Sequence, residues 1–370
     1  MNVVKMAVRF LIRHWLLLSL LAILAYVLWK QVNYSQLLST FAGVSWLFVG
    51  LAILANLASI LLKVASWKII FDFSFKKAPA RWRDLTSALM IGFLVNALVP
   101  ARMGELARAY VISRRQSISG QRVSRSTVFG TIVLERVFDG FVLAMIIIYG
   151  VTRMNLPGWA DRGAIVLLAV AVFFGAALIL LEAKRESIAQ SAAAAAASHR
   201  EHHSWWKKQM TRLKGIVARF SEGQQVLRSP GRVITILGTT TASWMSQLTA
   251  VFMSLNAFHL GFTGFLGAVL LLILINVAGA LPATPGNVGI FQLATVIPLA
   301  IAYGSAPAGQ PCLPDFKCIN ESTALAFSIG LQAIEGSIGL GVGSAFLLRE
   351  GLNLKQVKRE SIRKMEGELR

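Results

Sequence analysis

The stretch Asn96-Ala97-Leu98-Val99-Pro100-Ala101-Arg102-Met103-Gly104-Glu105-Leu106-Ala107-Arg108 breaks an apolar run where a simple membrane span would continue. The run begins near residue 85, halts at Asn96 and Pro100, and resumes as a segment carrying two arginines and a glutamate. Lys63, Lys68, Lys76, Lys77, Arg81 and Arg83 precede it, and Arg114, Arg115, Arg122 and Arg125 follow. A full crossing would place one of these basic flanks outside, against the bias of Lys and Arg toward the cytoplasmic side. A re-entrant hairpin over 85–112, entering and leaving on the cytoplasmic face, satisfies both. Proline and glycine at the apex suit a broken helix whose freed backbone groups line a cavity.

The remainder of the chain supports a membrane setting. Of 370 residues, 55% are hydrophobic and only 15% charged, against about 25% charged in a typical soluble protein. Apolar runs close to the roughly 20 residues a bilayer requires recur throughout. The spacing predicts helices over about 11–29, 44–64, 126–151, 163–182, 233–256 and 322–348, with a turn at Asn155-Leu156-Pro157-Gly158. The run 11–29 follows Lys5 and Arg9 without a small-residue cleavage site, and reads as an uncleaved first helix with a cytoplasmic N-terminus. The stretch 264–304 is two short apolar halves joined at Pro282–Gly289, either two thin crossings or a second hairpin entering from outside. The fold class expected is therefore all-α: a polytopic bundle of about six full spans plus two broken-helix hairpins. Entry from opposite faces suggests inverted halves, although the two halves of the sequence share no visible similarity.

Four regions follow: an N-terminal membrane half 1–182 containing the 85–112 segment, a basic cytoplasmic linker 183–232, a C-terminal membrane half 233–348, and a basic tail 349–370. The net charge of +20 accumulates between apolar runs. It is accounted for by the positive-inside bias and by anionic headgroups, so nucleic acid is not an expected partner. The linker holds the run Ala192–Ala197 and His199, His202 and His203, read as solvated chain and not as a metal site. No metal, cofactor or soluble catalytic constellation is expected: GxxxxGK[ST], GxSxG and HExxH are all absent. Cys312 and Cys318 share one polar loop and form a candidate disulfide if that loop faces an oxidising compartment.

Charge inside a span is costly, about 2.5–3.5 kcal/mol per residue on insertion scales, so such residues usually face a partner or a cavity. Arg102, Glu105 and Arg108 recur at i, i+3 and i+6; their net positive charge and planar guanidinium forks suit phosphate oxygens. Glu135, Arg136 and Asp139 lie about ten residues into an apolar helix, where Arg136 and Asp139 can pair. Pro282, Pro285, Gly286 and Gly289 interrupt another helix, whose restart could aim free N–H groups at an anion, with Gln292 just inside. Glu335 lies deep in the last helix one turn after Gln332, a candidate partner for Arg102, Arg108 or Arg136. Gly336, Gly339, Gly341 and Gly343 follow it and allow close helix packing.

Arg102-Met103-Gly104-Glu105-Leu106-Ala107-Arg108, Glu135-Arg136-Val137-Phe138-Asp139 and Pro282–Gln292 occur in the order RxGExxR, ERxxD and PxxPGxxGxxE. In this the chain resembles the membrane part of lysylphosphatidylglycerol synthases and its stand-alone, flippase-like relatives. The resemblance implies movement of aminoacylated phospholipid between leaflets; other members are linked to polyprenyl-phosphate sugars, glycolipids or hopanoids. It implies a bacterial-type inner membrane and membrane lipid as the partner, and the basic residues at both ends of the chain place both termini in the cytoplasm. Gln292 departs from the family's glutamate and removes a possible proton carrier. The synthases add a soluble aminoacyl-transfer domain; only 349–370 follows the last helix, so the expectation is a lipid translocase and not an enzyme. An accessory protein presenting lipid to a separate synthase or glycosyltransferase is the alternative.

Overall fold

In the computed structural model every regular element among the described residues is helical. The structure describes residues 34–357 except 77, 100–102, 119–122, 154–157, 185, 188–189, 191–214, 216, 218–219, 281–284, 304–318, 320 and 355. The expected first helix, the alanine run, the three histidines, and Cys312 and Cys318 lie outside the described residues, as do Arg102 and Pro282.

The described chain runs α1 (Tyr34–Ala42), α2 (Trp46–Ser74), α3 (Trp82–Leu98), α4 (Gly104–Ile118), α5 (Arg125–Arg153) and α6 (Gly158–Ala183). It continues through α7 (Pro230–Ala257), α8 (Gly264–Ala280), α9 (Ile290–Tyr303), α10 (Glu321–Ser337) and α11 (Gly343–Arg349). A π-helical turn, Ile338–Val342, joins the last two into one rod. By length and composition, Trp46–Ser74, Gly261–Gly279 and Ser322–Arg349 are apolar enough to cross a membrane. Leu54, Leu61, Phe173, Ile234 and Leu293 project outward; an apolar exterior of this kind suits lipid and not water. The chain is a multi-pass membrane protein with an all-α bundle.

The long helices α2 and α7 form its axis, antiparallel along their whole length. The Ser45 N–H donates to Ala257 O at one end. Ser59 and Ser243 hydroxyls meet at 3.1 Å in the middle, and Ser66 and Thr240 at 3.1 Å further on. Small hydroxyl residues let the backbones approach and replace lost water contacts with interhelical hydrogen bonds. One apolar core fills the space among α7, α8, α9 and α10, and a second lies among α2, α3, α4 and the rod's end.

One outcome differs from the sequence reading. Helix α2 does not stop at residue 64 but runs on to Ser74, carrying Lys63 and Lys68 inside it. Lys68 is held within its own helix and the following turn, bonding Asp72 Oδ2 at 2.6 Å and Ala80 O at 2.7 Å. Each broken region forms two helices packed against one another. Arms α3 and α4 have 17 and 15 residues and α9 has 14, shorter than the roughly 20 residues of a complete span, whereas α8 with its leading 3-10 turn, Gly261–Gly279, is long and apolar enough to cross.

Candidate functional site

The α3–α4 hairpin is held by small residues and one asparagine. Asn96 Oδ1 accepts the Gly104 N–H at 2.6 Å, satisfying one of the orphan donors at the start of α4. Glycine at 104 permits this approach: a Cβ there would fall 2.2 Å from Gly92 O. One turn later the stem of Arg108 lies across Gly92, where a Cβ would fall 2.6 Å from Arg108 Cγ. The RxGExxR spacing thus sets an arginine against the facing arm of the hairpin.

Arg108 is carried from there into a buried cluster of five charges. Its Nη2 donates to Glu135 Oε2 at 2.5 Å, and its guanidinium carbon stands 4.1 Å from the centre of the Trp67 ring. The Trp67 indole N–H donates to Thr131 Oγ1 at 3.1 Å, which fixes that ring. Glu135 Oε1 receives Arg136 Nη2 at 3.1 Å and lies 4.0 Å from Lys63 Nζ. Asp139 Oδ2 takes Lys63 at 2.7 Å and Arg136 Nη1 at 3.2 Å, while Oδ1 accepts the Trp244 N–H at 3.2 Å. Helices α2, α4, α5 and α7 all contribute.

Three cations face two carboxylates, and every carboxylate oxygen is occupied. The cations are not saturated. Arg108 Nε and Nη1 are buried without a hydrogen-bond partner among the described residues, and the Arg136 side chain is 40% exposed. Ionic groups in a low-dielectric interior require compensating charge and hydrogen bonds. This cluster has the donors for one anion that the described residues do not supply.

From sequence, Lys63 reads as a topogenic charge at the end of the helix over about 44–64. The structure corrects this, because Asp139 and Glu135 offset its desolvation within the span. Trp67 and Trp244 were not singled out; an aromatic in an apolar run reads as packing until its partner is located. Glu105 is half-buried on α4 and makes none of the cluster's ion pairs.

The second break is built differently. Gly286, Asn287 and Gly289 have φ of 68°, 58° and 90°, the left-handed region that favours glycine. At the start of α9 the Gly289 N–H donates to Gln292 Oε1 at 2.7 Å, the reach-back of a capping box. Gln292 Nε2 donates to Gln332 Oε1 at 2.7 Å, and Gln332 Nε2 donates to Gly286 O at 2.8 Å. The expectation that this restart offers its N–H groups to an anion is corrected at Gly289, whose donor Gln292 already takes. A carboxylate at 292 could accept from Gly289 but could not donate to Gln332. Gln292→Glu is accordingly expected to lower stability near neutral pH by about 1 kcal/mol, the worth of one hydrogen bond. The loss should shrink in acid, where a protonated carboxyl regains a donor, as thermal unfolding across pH would record.

The tips of the two hairpins meet. A Cβ at Gly286 would fall 3.6 Å from Ala97 O in the last turn of α3. The closing rod spans both: Gln332 binds the break, while Gly339 and Gly343 rest on Phe93, Met90 and Leu94 of α3. Gly336 and Gly341 have open space around them, so only half of the glycine series serves packing. Glu335 Oε1 is buried without a hydrogen-bond partner among the described residues. Arg108 and Arg136, proposed from sequence as its partners, pair instead with Glu135 and Asp139. Pro285 opens the 3-10 turn of the break.

A family model described as the lysylphosphatidylglycerol synthase TM region matches residues 15–313. The match takes in both hairpins and the charged stretch of α5. No curated protein and no solved structure matches the chain.

Proposed function

The chain belongs to the lysylphosphatidylglycerol synthase TM-region family, and on that premise we propose that it binds a lipid headgroup at the Lys63–Arg108–Glu135–Arg136–Asp139 cluster and moves that lipid between leaflets. Membership makes it a membrane protein of lipid metabolism or transport; the translocation step and the site are our reading. The observation that carries it is the unmatched positive charge. Arg108 keeps two buried nitrogens with no partner among the described residues, while the Arg136 side chain is 40% exposed. A lipid phosphate, alone or within a zwitterionic or aminoacylated headgroup, supplies both the missing charge and acceptors for planar guanidinium groups. Arg108 binds and orients the phosphate, and Trp67 and Glu135 hold Arg108 in place. Lys63 and Trp244 position Asp139, which with Glu135 keeps the site from collecting more than one net anion. The meeting of two broken hairpins beside the site is the arrangement transporters use to expose one side at a time. We place it in a bacterial-type inner membrane with cytoplasmic termini, acting without a cofactor and without catalysis.

Purified protein in vesicles with fluorescent phospholipid tests this. Wild type should move lipid faster than protein-free vesicles. Arg136→Gln should slow the movement by about tenfold or more, since one hydrogen bond to a charged group is worth roughly 1.5–3 kcal/mol, while leaving the partly exposed helix face folded. No movement above empty vesicles, together with no copurified lipid by mass spectrometry, would overturn the proposal. Copurified lipid without movement would instead favour an accessory role, in which the basic linker 183–232 docks a separate synthase or glycosyltransferase.

A further inference from the structure

Where α2 ends and α7 begins, two cations converge on one aromatic ring. Lys76 Nζ lies 4.8 Å and the Arg232 guanidinium carbon 4.7 Å from the centre of Phe73. Lys76 and Arg232 are exposed, whereas Phe73 is half-buried against an apolar cluster that includes Val226 and Ile236. Neither cation has a carboxylate partner among the described residues. The nearby basic residue Arg228 does, bonding Glu182 at 2.7 Å, and Lys68 is tied to Asp72. Lys76 and Arg232 thus differ from their neighbours in holding uncommitted charge over a fixed ring. Arg232 also lies in the first turn of α7, a 28-residue helix whose N-cap residue Ser229 makes no side-chain capping bond. The positive end of that helix adds to the field there.

Position decides which anion fits. At about 1.5 Å per residue, Phe73 stands roughly 40 Å along α2 from Trp46, close to the 40–45 Å of a bilayer with its headgroups. The ring therefore sits at headgroup level, beside an outward apolar flank that includes Ile234. We propose that Lys76, Arg232 and Phe73 form a boundary site for the phosphate of an anionic phospholipid. The site is separate from the buried cluster and does not depend on the translocase reading. Acyl chains lie along the apolar flank, and the phosphate rests between the two cations.

Native mass spectrometry of the full chain, offered phosphatidylglycerol and phosphatidylcholine in equal amounts, tests this. Wild type should retain phosphatidylglycerol preferentially. K76Q/R232Q should reduce that preference by about thirtyfold, on the scale expected for two basic residues at a membrane surface. R81Q/R83Q, which removes equal charge from two exposed sites elsewhere, should leave it near wild type. If K76Q/R232Q failed to fold, Lys76→Gln alone would carry the same test with a smaller loss. Unchanged preference in the folded variant would overturn the site. Equal loss in R81Q/R83Q would replace it with diffuse attraction. Loss only in Arg136→Gln would assign the bound lipid to the buried cluster. Full competition by excess inorganic phosphate would show a site for a free anion and not for lipid.

Discussion

Glu135→Ala is expected to leave little folded protein in the membrane. Glu135 is 2% exposed and takes Arg108 on one oxygen and Arg136 on the other. Its removal leaves Lys63, Arg108 and Arg136 facing Asp139 alone, and Arg108 loses the one ion pair it makes among the described residues. Breaking a buried pair by deleting one partner costs about 3–5 kcal/mol, because the surviving charge is left uncompensated. That is a large share of the 5–15 kcal/mol that holds a typical domain folded. Size-exclusion profiles and thermal unfolding of detergent-purified protein should show the loss directly. The double variant Glu135→Ala/Arg108→Leu should recover much of it, since the stranded guanidinium is then gone. A coupling energy of several kcal/mol between the two sites is the signature. Glu105→Ala, at a half-buried position outside the cluster's pairs, should cost no more than about 1 kcal/mol. Additive losses at Glu135 and Arg108, or an equal loss at Glu105, would mean that the pair is not what holds the four helices together.

How much of this was visible in sequence depends on how far each signal reaches along the chain. Helix positions follow local hydropathy, and the helices on either side of the two interruptions end at Leu98 and Ala280 and restart at Gly104 and Ile290, because proline and glycine act where they stand. The Arg136–Asp139 pair was legible for the same reason, since both residues sit on one turn of one helix. The role of Lys63 was not. Its counter-ion is 76 residues away, so within its own segment it marks a helix end as plausibly as a buried pair. The structure resolves this by carrying α2 past Lys63 to Ser74. Trp67 and Trp244 were hidden in the same way: one indole binds Thr131, the other Asp139, and both partners lie on α5. Gln292 shows the converse. Its departure from the family's glutamate was plain in sequence, but its use as both acceptor and donor appears only once Gln332 is set beside it. The tetrad of Gly289, Gln292, Gln332 and Gly286 is a neutral means of fixing a helix break, and it leaves charge to the other hairpin.

That other hairpin rests on the closest backbone approach in the site, and Gly104→Ala should collapse it. The new Cβ would fall 2.2 Å from Gly92 O and 2.5 Å from Asn96 Cγ. A side chain can rotate away, but Gly92 O is backbone inside α3, so the two arms must separate. Separation pulls Asn96 off the Gly104 N–H and lifts the Arg108 stem away from Gly92, straining the reach to Glu135. Overpacking alone costs about 1–3 kcal/mol, and the lost hydrogen bond adds about 1 kcal/mol. Asn96→Ala in the same chain should not rescue the variant, because the contact with Gly92 O remains. A helical glycine in open space gives the contrast. Gly238 has nothing within 4 Å of a built Cβ, so Gly238→Ala should be neutral or stabilising by up to about 1 kcal/mol from helix propensity. Thermal unfolding of the two variants should therefore move in opposite directions, and any Gly104→Ala protein that remains folded should move lipid poorly because Arg108 is displaced. If Gly104→Ala matched Gly238→Ala in both stability and lipid movement, the arms of the hairpin would not cross at Gly92, and the placement of Arg108 beside Glu135 would lose its structural basis.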